Sequence, residues 1–229
     1  MKLFKPKFWH DSTSLLSFFL LPLAFIYQFL IIIKNNFTKK EKFTIPIICV
    51  GNIYLGGTGK TPLCIEISKI LTKLNKKNAI VKKFYKEHED EFKLIESKKI
   101  KLFKSKYRSS SIKKATSENF DCVILDDGLQ DSSVIKDLSI ICFNEGQLAG
   151  NEKTLPSGPL REPLSSIKNS QIVVITGKEN KIFEEKIKLI SKNTNIYYAN
   201  YSPTNIDLFQ GRNLLAFAGI GNPNNFFNL

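Results

Sequence analysis

The sequence predicts an α/β protein with a largely parallel sheet and helices on both faces. Three observations carry that expectation. Short apolar, strand-like runs alternate with patterns of helical period, the βαβ order from which parallel sheets are built. A glycine-rich loop, Gly51-Asn52-Ile53-Tyr54-Leu55-Gly56-Gly57-Thr58-Gly59-Lys60-Thr61-Pro62, follows one of those runs and opens a helix. A later run, Phe120 to Leu125, ends in Asp126-Asp127-Gly128, where an open α/β sheet places carboxylates that face a ligand. Together they make the expected fold P-loop NTPase-like.

The chain begins with a segment unlike the rest. Ser14 to Ile33 is almost uninterruptedly apolar, with Lys2, Lys5, Lys7 and Trp9 before it and Lys34, Lys39 and Lys40 after it. A stretch of about 20 apolar residues just spans a bilayer. A cleaved signal peptide is disfavoured, because no small-residue cleavage site follows Ile33 and export would separate the glycine loop from cytosolic ATP. Pro22 is expected to break or kink the helix, while Trp9, Tyr27 and the flanking lysines suit anchoring at headgroup level. Residues 1–36 are therefore expected to form a membrane-embedded or interfacial anchor, against the alternative of a helix buried in the domain.

Residues 37–200 are expected to form the nucleotide-binding domain. Ile45 to Val50 is its first strand, and Ile65, Ile67, Ile70, Leu71 and Leu74 mark the helix after the loop. Glycines let successive backbone N–H groups converge on an anion, and the helix N-terminus adds its dipole. Lys60 would reach the terminal phosphates and the Thr61 hydroxyl would ligate Mg²⁺. Asn52, Gly56, Gly57, Thr58, Gly59, Lys60 and Thr61 are thus the candidate ATP contacts. The usual spacing has a further glycine where this chain carries Tyr54.

Asn78 to Lys83 reads as the second strand, and the acidic run after it contains Asp90, either a catalytic base at the ligand crevice or a solvated helix start. Lys99 to Phe103 is expected as an edge strand, and 104–117 as loop and short helix. In Asp126-Asp127, one carboxylate would hold Mg²⁺ near Thr61, the choice between them staying open. Leu138 to Phe143, Gln171 to Thr176 and Asn195 to Asn200 read as further strands, and Lys181 to Lys192 as an amphipathic helix. Gly150 to Leu164 is a shaped, proline-rich loop, in which Arg161 either clamps a phosphate or pairs with Glu162. Asn213 to Ala218 is expected to be a strand, and residues 201–229 the start of a second α/β lobe in a truncated or unusually short chain.

The formal charge of +13 indicates an anionic partner, either nucleic acid or a surface of acidic lipids. Arg108, Arg161 and Arg212 are the only arginines in this lysine-rich background, and so the more informative cations. Cys49, Cys64, Cys122 and Cys142 form no C-x-x-C pair and read as reduced core thiols; with two histidines a zinc site is improbable.

Phe8-Trp9, the Gly51 to Pro62 loop, Asp126-Asp127-Gly128-x-Gln130, Lys136-Asp137-Leu138, Leu155-Pro-x-Gly-Pro-Leu-Arg-Glu-Pro-Leu164, Phe217-Ala-Gly-Ile-Gly-Asn-Pro223 and Phe226-Phe227 occur in that order. In this the chain resembles the tetraacyldisaccharide 4'-kinases, the lipid A 4'-kinases of Gram-negative bacteria, over nearly its whole length. The resemblance implies a monotopic inner-membrane kinase whose active site faces the cytoplasm. It would move the γ-phosphoryl group of ATP, with Mg²⁺, to the 4'-hydroxyl of an acylated glucosamine disaccharide 1-phosphate. Gln130 joins the candidate nucleotide-binding residues, and Asp90, Lys60, Asp127 and Arg161 become the candidate catalytic set. Asp90 matches two of three residues in the family's Gly-Asp-Glu stretch. Lys83-Phe84-Tyr85 stands where the family has Arg-Gly-Tyr, and the family's Pro-Asp-His-His segment has no counterpart before Leu229. A membrane-associated partitioning or division-site ATPase is the rival, disfavoured because Leu55 replaces its extra lysine. A nucleic-acid-binding module has charge on its side but no motif, so no nucleic-acid partner is expected.

Overall fold

A computed structural model of the chain describes residues 5–202 together with residues 207, 211, 215 and 216. The strand expected over Asn213 to Ala218, the following Gly219 to Pro223 turn and the start of a second lobe lie outside the described residues, apart from those isolated positions.

The N-terminal apolar segment folds as two helices, α1 (Leu15–Phe19) and α2 (Leu21–Phe37). Pro22 lies in the first turn of α2, where its missing N–H costs no hydrogen bond, so it opens the second helix rather than kinking one long one. Among the described residues no helix is long and apolar enough to cross a membrane.

The chain after α2 is built on a seven-stranded sheet. Its strands are β1 (Ile47–Gly51), β2 (Asn78–Lys83), β3 (Leu102–Ser105), β4 (Cys122–Asp126), β5 (Leu138–Asn144), β6 (Ile172–Thr176) and β7 (Asn195–Ala199). The order is β3-β2-β4-β1-β5-β6-β7, and every pairing is parallel. Central strands of such a sheet are covered on both faces, which is why β4 reads as a continuous apolar run and is buried at every position.

Period-two alternation divides the strand side chains between two cores. On one face Val50, Ile80, Ile124, Ile140 and Cys142 pack against Cys64 and Ile65 of α3 (Lys60–Lys73) and Ile95 of α4 (Glu89–Ser97). On the other, Cys49, Ala79, Val81, Val123 and Leu125 pack against Ile112 and Ala115 of α5 (Arg108–Ser117), while Phe143, Val173 and Ile175 pack against Phe183 and Ile187 of α6 (Lys181–Ile190). Each fully buried aliphatic side chain contributes roughly 1.5–3 kcal/mol relative to exposure. The four cysteines are free and buried within these layers, and burial pushes the thiols of Cys49 and Cys142 up to about 12.

The topology fixes where a ligand can bind. From β1 the chain crosses over β4 to reach β2, whereas from β4 it crosses over β1 to reach β5. The loops leaving the carboxyl ends of β1 and β4 therefore diverge around one crevice, the expected ligand position in an open α/β sheet.

Candidate active site

The glycine loop runs from β1 into α3 across this crevice. Gly59 takes φ 84°, a left-handed turn that side chains rarely adopt, and so caps α3. That helix start has no side-chain cap and no acidic residue in its first turn, unlike α6, where the Asn180 side chain accepts from the Phe183 N–H. Its first amides and dipole are thus left for an external anion.

Asp126 ends β4 beside β1 and is fully buried. The Thr61 hydroxyl donates to its Oδ2 at 2.8 Å, joining the two residues proposed for one metal ion. Asp126 Oδ1 is buried without a hydrogen-bond partner among the described residues. A hydroxyl and a carboxylate with a spare oxygen are the hard donors Mg²⁺ accepts alongside substrate phosphates, so the residues fit the ion.

Asp127 turns the other way. It adopts φ 55°, a left-handed conformation tolerated by aspartate, and its carboxylate faces Lys60 Nζ at 3.6 Å and Arg161 at 3.3 Å. Burial alone would raise its pKa, but Lys60 first and Arg161 next override it, holding the carboxyl below its ordinary 3.8. A depressed folded value contributes stability that is present above the unfolded value and disappears as pH falls through the folded one. The stability difference between wild type and Asp127→Asn is therefore expected to be constant near neutrality, to start shrinking near the ordinary 3.8 and to go on shrinking as pH falls further, which urea titrations across that range check.

Arg161 comes from a loop zipped onto the glycine loop. The Arg161 N–H donates to Ile53 O at 2.7 Å and the Leu55 N–H to Pro159 O at 2.9 Å, with Tyr54 bridged to Leu160 between them. Tyr54, the position that departs from the usual spacing, is fully buried in this junction. Gly158 is required here, since a Cβ would lie 2.3 Å from Lys153 O. Arg161 bonds Asp127 and Gln130 Oε1, and Glu162 instead accepts from Gln130 Nε2 at 2.9 Å. Gln130 also donates to Asn52 O at 3.0 Å, and Asn52 Nδ2 to Gly56 O at 2.9 Å. Asn52 and Gln130 thereby brace the loop against Arg161.

Two cations of the site escape sequence reasoning. Arg108, buried in the first turn of α5, donates to the backbone carbonyls of Asp126 and Asp127 at 3.2 and 2.7 Å and pairs with Asp131 at 3.1 Å. Its rarity as an arginine was the available signal, although 104–117 carried no other functional cue. Lys82 sits opposite Asp126 in the β2–β4 register and is 4% exposed; it pairs with Asp126 and lies 2.6 Å from Glu91. A lysine at the end of an apolar strand carries no sequence mark of such burial. The Lys136-Asp137 pair is structural: Lys136 donates to Leu129 O at 3.2 Å, and Asp137 accepts from the Ile47 N–H at 2.8 Å.

Asp90 is not brought to this cluster by any contact. It is exposed in the first turn of α4, and its side chain makes no ion pair or hydrogen bond among the described residues. Its neighbour Glu91 takes both Lys82 and, at 3.8 Å, His88. Asp127, Gln130 and Arg161 open instead onto a cleft of about 830 Å³ that continues past Arg108 and Lys83 to Lys34 and Lys40 near the end of α2.

Comparison with known proteins follows the same lines. The family model described as tetraacyldisaccharide-1-P 4'-kinase matches residues 16–101 and 90–229. The tetraacyldisaccharide 4'-kinase of Pelagibacter ubique (strain HTCC1062) is 46% identical over 233 residues, covering 100% of this chain and 74% of that relative. The protein of the same name from Rickettsia typhi is 30% identical, covering 99% of this chain and 74% of the relative. Among solved structures, the "apo" form of LpxK from Aquifex aeolicus in complex with ATP superposes with a TM-score of 0.61 at 20% identity, over 88% of this chain and 86% of that one, a likeness of fold.

Proposed function

This chain belongs to the tetraacyldisaccharide-1-P 4'-kinase family, and we propose that it transfers the γ-phosphoryl group of ATP to the 4'-hydroxyl of an acylated glucosamine disaccharide 1-phosphate. It is a lipid A-type kinase rather than a partitioning ATPase. The observation that supports the residue roles best is the Lys60–Asp127–Arg161 cluster, within 3.6 Å contacts, at the mouth of a lysine-lined cleft.

Lys60 and the amides from Gly56 to Lys60 hold the β- and γ-phosphates. Thr61 and Asp126 hold Mg²⁺, which when bound neutralises charge on those phosphate oxygens. Asp127 keeps Lys60 and Arg161 in place, and Arg161 moves its fork onto transferring phosphate charge. Asp90 is assigned as the base for the sugar hydroxyl, on its match to the family stretch and its place on α4. Such transfer needs positioning and charge stabilisation more than covalent chemistry. The test is incubation of the full chain in detergent with labelled ATP and a lipid A disaccharide 1-phosphate. The expected product is the bis-phosphorylated lipid; its absence would overturn the reading.

The α1–α2 segment is assigned to the inner-membrane surface, with the active site on the cytoplasmic side. Its polar residues point inward: the Ser17 hydroxyl donates to Ser157 O at 2.7 Å and Gln28 Nε2 to Thr154 Oγ1 at 2.6 Å. Its aromatics point out, with Phe18, Phe25 and Phe29 exposed at 64%, 65% and 62%. An apolar exterior over a polar docking face suits the acyl boundary of a bilayer. Lys34, Lys39 and Lys40 would meet anionic headgroups, each worth about 1 kcal/mol near the surface. The double variant Phe25→Glu, Phe29→Glu should lose most co-sedimentation with anionic vesicles while retaining its thermal unfolding transition. Equal sedimentation of variant and wild type would refute the anchor.

A further inference from the structure

The Lys82 ammonium occupies an unusual place for a cation. It donates to Asp126 Oδ2 and lies 3.4 Å from the Thr61 hydroxyl, so it addresses the same two side chains assigned to the metal ion. On its other side it reaches Glu91 Oε2 at 2.6 Å, on α4. Lys82 is 4% exposed and Asp126 fully buried, whereas Glu91 is 41% exposed. A divalent ion and an ammonium sharing one buried carboxylate repel strongly, because little water screens them. Among the described residues the ammonium has one other carboxylate in contact, the half-exposed Glu91, which can keep it paired if Asp126 is taken by an ion.

We infer that Lys82 is an internal cation that competes with the divalent ion for Asp126 and Thr61 and is handed over to Glu91 when that ion enters. In the nucleotide-free protein Lys82 neutralises Asp126, which would otherwise be a buried carboxylate without a cation. On metal entry the Lys82–Asp126 pair breaks and the Lys82–Glu91 pair takes up the displaced charge. Since Glu91 adjoins Asp90 in the first turn of α4, occupancy of the metal site is coupled to the element carrying the assigned base. Lys82 acts through Asp126 and Glu91, which makes it a positioning residue.

This inference rests on the assignment of Thr61 and Asp126 to the metal, and the experiment separates the two. Binding of Mn²⁺ to the full chain is followed by the electron paramagnetic resonance signal of free Mn²⁺, with a non-hydrolysable ATP analogue present. Lys82→Met removes the competitor and should tighten Mn²⁺ binding about tenfold or more, the size of effect one neighbouring charge has on a titration. Glu91→Gln removes the alternative partner and should weaken binding severalfold; because Glu91 is half-exposed, this variant also decides the matter if Lys82→Met fails to fold. A purely structural role for Lys82 would not move the two variants in opposite directions. Failure of Lys82→Met to tighten binding, or of Glu91→Gln to weaken it, would overturn the inference. Mn²⁺ affinity insensitive to Asp126→Asn would overturn the metal-site assignment itself, and the inference with it.

Discussion

Lys60→Ala is expected to lower turnover by on the order of a hundredfold or more, the cost of deleting one preorganised charge-stabilising donor. The side chain stands at the first position of α3, where its Nζ is held 3.6 Å from Asp127 Oδ1. That contact orients the ammonium without burying it away from a phosphate, since Lys60 and Asp127 remain 13% and 28% exposed. Loss should fall on kcat as well as on ATP affinity, because charge on the transferring group is greatest in the transition state. Stability should change little, with Asp127 still paired to Arg161. Steady-state assays with ATP varied would check this, and wild-type turnover in the variant would remove Lys60 from the site.

Asp126→Ala is expected to cost about 3 kcal/mol or more of folding stability, as happens when one partner of a buried ion pair is removed, and to abolish measurable phosphoryl transfer. Asp126 is fully buried, receives Lys82 and the Thr61 hydroxyl, and stands at the end of the central β4. Among the described residues, truncation leaves the Lys82 ammonium with Glu91 as its one ion-pair partner. The double variant Asp126→Ala, Lys82→Met should accordingly recover much of the lost stability while staying inactive. Urea denaturation of both single variants and the double gives the coupling. A double variant no more stable than Asp126→Ala would mean that the ion pair is not the source of the cost.

Much of the fold is written in local pattern. The strand expected over Asn78 to Lys83 coincides with β2, and the expected edge strand is β3, at the end of the sheet. Burial on both faces requires apolar runs, and those runs are visible without knowing the strand order. The two-helix form of the N-terminal segment was less legible, because Pro22 allows either a kink or a helix start and the choice lies with docking. Ser17 and Gln28 commit the two helices to the Ser157 and Thr154 loop, contacts more than a hundred positions away in the chain.

The site divides in the same way. Gly59, Lys60 and Thr61 are consecutive, so the local strand–loop–helix order alone places them at a helix start. The resemblance to a kinase family likewise needs only the linear motifs. Asp126 and Asp127 are adjacent and chemically equal in the sequence. Only the β1–β4 pairing and the left-handed turn at Asp127 send one carboxylate to Thr61 and the other to Lys60 and Arg161. Lys82 and Arg108 show the same limit, since each becomes part of the site through partners on other strands and helices. The chain by itself determined the class of fold, the nucleotide loop and the family. Tertiary structure decided which charge meets which, because electrostatic partners are set by distance and burial across the sheet and not by separation along the chain.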